Sequence, residues 1–179
     1  PFALQILEPM GRHRLVIAAN DTGIECDLVF TPRTACIEEG RQTLRNERFI
    51  VMDATRLDQF GFWSGWIRYD GKELKVDGRT TYGLKDRSWG IRPVGEAYSG
   101  GAPMAEYQAV HFCWMPIHWE TECSLAGWFE DGTGHQWHTD QAFLPHSPRV
   151  DAIPGTVDPA TRVWRGRVDH QLTMIPGTR

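Results

Sequence analysis

A hydrophobic period of two constrains this chain more than any other feature. In Ile24-Glu25-Cys26-Asp27-Leu28-Val29-Phe30 the even positions are apolar, while Glu25 and Asp27 take the other side, as in a strand with one buried face. The alternation returns from Trp119 to Phe129 and from His135 to Phe143. It returns again where Trp164, Gly166, Val168, His170, Leu172 and Met174 oppose Arg165, Arg167, Asp169, Gln171 and Thr173. Asp70-Gly71 separates Gly65–Tyr69 from Lys72–Val76, and this dipeptide tolerates the positive φ angles of a type I′ hairpin turn. Strands are predicted near 13–19, 24–31, 47–53, 60–69, 73–78, 107–115, 118–129, 134–143 and 162–175. The best helical candidate, 37–46, is short and interrupted by Gly40.

The pattern predicts an all-β, antiparallel barrel or sandwich. Small and Pro residues interrupt the alternation at Gly95–Pro103, and Pro145–Pro159 reads as a long exposed loop. Residues 1–96 are expected to form a first domain, 97–106 a linker and 107–179 a second domain. The chain starts at Pro1, and the last alternation still runs when it stops at Arg179. Both domains are therefore expected to be incomplete portions of a longer protein.

With 23 acidic and 19 basic residues the net charge is −4, which lacks the basic face that general nucleic-acid binding needs. No apolar run approaches the ~18 residues of a membrane span. Eight Trp, eight Phe and four Tyr argue for an apolar interior. The four Cys form no CxxC pair, which favours reduced core thiols and a cytoplasmic location. Disulfides Cys26–Cys36 or Cys113–Cys123 are the alternative for an exported chain. Their spacing offers no zinc motif, and His135 and His138, three apart on a strand, face opposite sides. No phosphate loop, GxSxG or HExxH is present, so no metal and no cofactor is expected.

The segment Tyr82-Gly83-Leu84-Lys85-Asp86-Arg87-Ser88-Trp89-Gly90-Ile91-Arg92-Pro93 resembles the D-[HR]-[SN]-W-G motif of the tandem lipocalin-like (calycin) proteins. These include the hydroxyneurosporene synthases (carotenoid 1,2-hydratases) and the AttH-like proteins. Arg56 to Gly65 is similar to that family's R-x-x-Q-x-G-x-x-x-G segment, and Pro176-Gly177-Thr178-Arg179 to a turn of its second half. The resemblance covers residues 1–96 well and 107–179 loosely. It implies two barrel-like halves, each around an apolar cavity. Where the carotenoid hydratases tend to have Asp-His, this chain has Asp86-Arg87, a permanent cation in place of a titrating base.

Two functional classes are expected. The first is a cofactor-independent hydratase, lyase or isomerase acting on a terpenoid- or polyketide-like molecule. Asp86 would be its acid or base, positioned by Arg87 and Tyr82, with Trp89 facing a developing cation. The second is a non-catalytic carrier of an apolar ligand with the same cavity, in which Asp86 and Arg87 are a structural clasp; Trp89 and Arg92 are expected to contact the ligand. In both, Trp63 and Trp66 line the ligand cavity together with Phe60, Phe62, Phe112, Trp114 and Trp119. His170, on the apolar side of its alternation, is either a core histidine or a ligand contact. The carboxylate pairs Glu25/Asp27 and Glu120/Glu122 read as solvated strand faces. Partners reduce to an apolar small molecule, with a homodimer left open.

Overall fold

A computed structural model describes residues 2–46, 49–91, 111–155 and 157–171. The first sheet holds β1 (Phe2–Ile6), β2 (His13–Ile17), β3 (Ile24–Pro32), β4 (Ile37–Glu38), β5 (Gln42–Asn46), β6 (Phe49–Tyr69), β7 (Lys72–Val76) and β8 (Tyr82–Ile91). The second is a meander of β9 (His111–His118), β10 (Glu122–Glu130), β11 (Gln136–Pro145) and β12 (Arg162–Trp164). All pairings are antiparallel, and the sheets do not close into a barrel. The described residues include a 3-10 turn at Val150–Ala152 and no helix long and apolar enough to cross a membrane.

The organising element is β6, 21 residues long. One of its edges pairs in turn with β5, β4 and β3, the other with β8 and β7. It merges the separate strands expected at 47–53 and 60–69. The Asp70-Gly71 hairpin forms as read: Tyr69 opposes Lys72, and φ is 50° at Asp70 and 72° at Gly71.

Other expectations need correction. Residues 37–46, in which neither a strand nor a convincing helix is expected, contain β4 and β5, because the open edge of β6 supplies backbone partners. The Tyr82–Ile91 segment, whose consecutive charges hide its period, is the strand β8. Phe2, Leu4 and Ile6 form β1 while largely exposed. At the other end, among the described residues, only Arg162–Trp164 extends the sheet, and 172–175 of the expected strand lie outside them. Beyond it Val168 bonds the Gln136 amide through both its N–H and its carbonyl, in place of a ladder. The expected linker 97–106, Arg92 and the Pro176–Arg179 turn lie outside the described residues.

The alternation of β6 and β8 sets two faces. Phe60 and Leu84 meet Cys123, Leu125, Ala142 and Leu144 of the second sheet, with Ile37 completing the cluster. One apolar core therefore draws on both sheets. The opposite face of β6 buries Gln59, whose amide donates to the carbonyls of Met10 and Thr34 and whose oxygen accepts from Lys85. Lys85 loses part of its basicity through burial.

Candidate functional site

Along β11 the inward positions run His138, Asp140, Ala142 and Leu144, all buried. The interface between the sheets therefore grades from apolar at Leu144 to polar at His138. On the facing strand Phe60 is followed, toward the same end, by Asp58 and Arg56. Asp58 is fully buried, Asp140 is 2% exposed and Glu39, just after β4, is 5% exposed.

Glu39 is held at both oxygens. Trp114 Nε1 donates to Oε1 at 3.0 Å and Gln42 Nε2 to Oε2 at 3.2 Å. Arg56 lies 3.7 Å from Glu39 Oε1 and 3.5 Å from Asp86 Oδ1, with its guanidinium over the Trp114 ring. Asp58 has no such support: neither oxygen finds a donor. As carboxylates Asp58 and Glu39 cannot bond each other, but a proton on Asp58 turns their contact into a hydrogen bond. Burial, that bond, and the charges of Glu39 and Asp86 push the Asp58 carboxyl up to about 9, against the weaker opposing pull of Arg56. At neutral pH Asp58 thus keeps its proton.

Asp140 accepts from the Gly40 N–H and faces Arg165 at 3.8 Å, while its second oxygen has no partner. Burial raises its pKa and lowers that of His138, whose Nε2 is also unpartnered. A cleft of about 560 Å³ opens here, lined by Glu38, Glu39, Gly40, Arg41, Trp137, His138, Thr139 and Arg165. Glu39 is thus the member of the carboxyl pair that reaches the cleft. Buried polar groups without partners are uncommon in native proteins, and this site holds several.

A second polar cluster occupies the far end of the interface. Arg33 meets Nδ1 of His146 at 2.8 Å, and both His146 and His118 contact the Cys123 sulfur. Burial pushes the Cys123 thiol up to about 12 and Cys36 to about 11, so neither is an activated nucleophile. All four cysteines are free thiols.

The residues singled out from sequence do not form one constellation. Asp86 lies opposite Asp58 in register and shares the Arg56 ion pair, on an exposed part of β8. Tyr82 points to the same side but sits four residues away, stacked on His118 at 4.5 Å. Arg87 turns to the opposite face, over Trp89, which is 45% exposed. Trp63 packs on Phe30 and covers Gly83, while Trp66 lines a separate groove under Arg68. His170 is drawn to Glu130 and His111. Asp58 had a sequence signal, a carboxylate in phase with Phe60 and Phe62, and His138 and Asp140 shared one with Ala142. Glu39 had none, lying in a segment with no clear period.

Fold and site together define an all-β protein of two packed antiparallel sheets, with a carboxyl pair buried beside a cleft. The chain belongs to the family described as Family of unknown function (DUF8625), which it matches over residues 1–179. No curated protein and no solved structure matches it.

Proposed function

We propose that this protein is a cofactor-independent acid–base enzyme, a hydratase, lyase or isomerase, in which Glu39 and Asp58 move the proton. The observation that supports this most is the buried carboxyl pair, in which Asp58 keeps its proton at neutral pH, with Glu39 on the cleft wall. Raised carboxyl pKa values are the usual device for keeping an acid available near pH 7. In a hydration the pair gives its proton to one carbon of a double bond. Water adds to the other carbon, and the proton that this water releases returns to the pair. Trp114 and Gln42 hold Glu39 in place, and the Arg56 guanidinium lies 3.7 Å from its Oε1.

The terpenoid- or polyketide-like substrate and the lipocalin-like kinship belong to this proposal. An apolar substrate would rest against Trp137, and its polar end would meet Arg165. Asp86 acts here through its charge on Asp58 rather than on the substrate. Free thiols fit a reducing compartment such as the cytoplasm.

The test is proton exchange in deuterated water, read by mass spectrometry on a panel of unsaturated and hydroxylated terpenoids and polyketides. Wild type should incorporate deuterium or change mass by one water, and Glu39→Gln should lose this while remaining folded. A Glu39→Gln variant with undiminished exchange refutes the assignment. A ligand bound by wild type without any exchange favours the carrier reading instead.

A further inference from the structure

We propose that His111, Glu130 and His170 form a binding site for a divalent transition-metal ion, zinc by its geometry. The site shares no residue with the carboxyl pair and does not depend on the reading above. His111 and Glu130 are direct cross-strand partners on β9 and β10, while His170 arrives from the segment after β12. Three ligand atoms from three parts of the chain lie within 4.8 Å of one another. His111 Nδ1 is 3.2 Å and His170 Nε2 is 3.5 Å from the same oxygen, Oε2 of Glu130. A tetrahedral zinc with bonds near 2.0–2.1 Å separates its ligand atoms by about 3.3 Å. Two of the three edges are therefore already at the required length.

The surroundings hold these ligands as metal sites require. Gln136 Nε2 donates to the other Glu130 oxygen at 2.9 Å and to the Val168 carbonyl at 2.7 Å, so one side chain fixes both the carboxylate and the segment carrying His170. Such partners orient ligands and set affinity. A register shift at Phe129/Glu130 places Glu130 opposite Gln136. The Trp128 ring, 5.0 Å from that of His170, walls one side. Glu130 is buried while His111 is 40% exposed, leaving a fourth position toward solvent, as in zinc sites that bind water or another exchangeable ligand. Coordination would replace the imidazole contacts to Glu130 with three bonds to the ion, each nitrogen offering its lone pair.

The test is titration of the chelator-treated full chain with Co²⁺, followed in the visible spectrum, and then displacement by Zn²⁺. The expected result is saturable 1:1 binding with the intense bands of tetrahedral Co²⁺, lost on adding Zn²⁺, and no near-ultraviolet thiolate band. Gln136→Ala should weaken Zn²⁺ binding by roughly 10–100-fold, His170→Ala by at least as much, and His146→Ala not at all. A thiolate band, or loss of binding in His146→Ala, places the ion at Cys123, His118 and His146 and overturns the proposal. So does undiminished affinity in folded His170→Ala. Should that variant not fold, the wild-type spectrum decides: no saturable binding, or weak octahedral bands, is equally fatal.

Discussion

Replacing Asp58 by Asn tests the buried carboxyl pair through stability rather than turnover. In the folded protein Asp58 keeps its proton up to about pH 9, whereas an unfolded aspartate releases it near ~3.9. Between these limits the folded state binds one proton more than the unfolded chain. Stability attributable to Asp58 is therefore fully present below the lower value and is lost as pH rises toward the upper. One proton gives a slope of about 1.4 kcal/mol per pH unit, or about 3 kcal/mol between roughly pH 6 and 8. The Asp58→Asn amide keeps the shape and can donate to Glu39, but it does not titrate. Glu39, Asp86 and Arg56 face the site in both proteins, and shifts at Asp140 and His138 largely cancel in the difference. Urea unfolding of both proteins across this range should show the variant gaining on wild type by about 3 kcal/mol. Parallel stability profiles would refute the claim that Asp58 is protonated in the folded state.

Two further outcomes follow from packing and burial. Phe60→Ala, emptying a fully buried site shared by both sheets, should cost about 3–5 kcal/mol; hydrogen exchange should then quicken in β10 and β11 as well as in β6, and a response confined to β6 would mean separate cores. With Ellman's reagent under native conditions, Cys113, which is partly exposed, should react well before Cys36 and Cys123; early labelling of Cys123 would contradict its buried, protonated state.

The period of two made the sheets legible because burial on one face leaves its trace at every second residue. It read the Asp70-Gly71 hairpin and the strand at β11, but not that the inward side of β11 carries His138 and Asp140, because the aromatic Trp137 and Phe143 fall on the other side. It failed where pairing rather than patterning decides the structure. Residues 37–46 carry no alternation, yet the edge of β6 draws them into strands, and this is how Glu39 reaches Asp58. In β8 the adjacent Asp86 and Arg87 are expected from sequence to act together. As a strand it sends Asp86 toward Arg56 and Arg87 to the far side. The convergence of His111 with Glu130 and His170 depends on strand register and on the Gln136–Val168 contact, neither of which spacing reveals.

The continuity of β6 also bears on how such a chain can vary. Five strands read their register from this one, and its alternation sends Phe60 to the core, Asp58 to the carboxyl pair and Gln59 to the opposite face. Inserting or deleting a single residue near its middle would exchange the two faces for everything beyond that point. Loops such as Asp131–His135 can change length without that penalty. For this architecture, insertions and deletions are tolerable at the ends of the hairpins, while the spacing from Arg56 to Phe62 must stay fixed for as long as both faces are used.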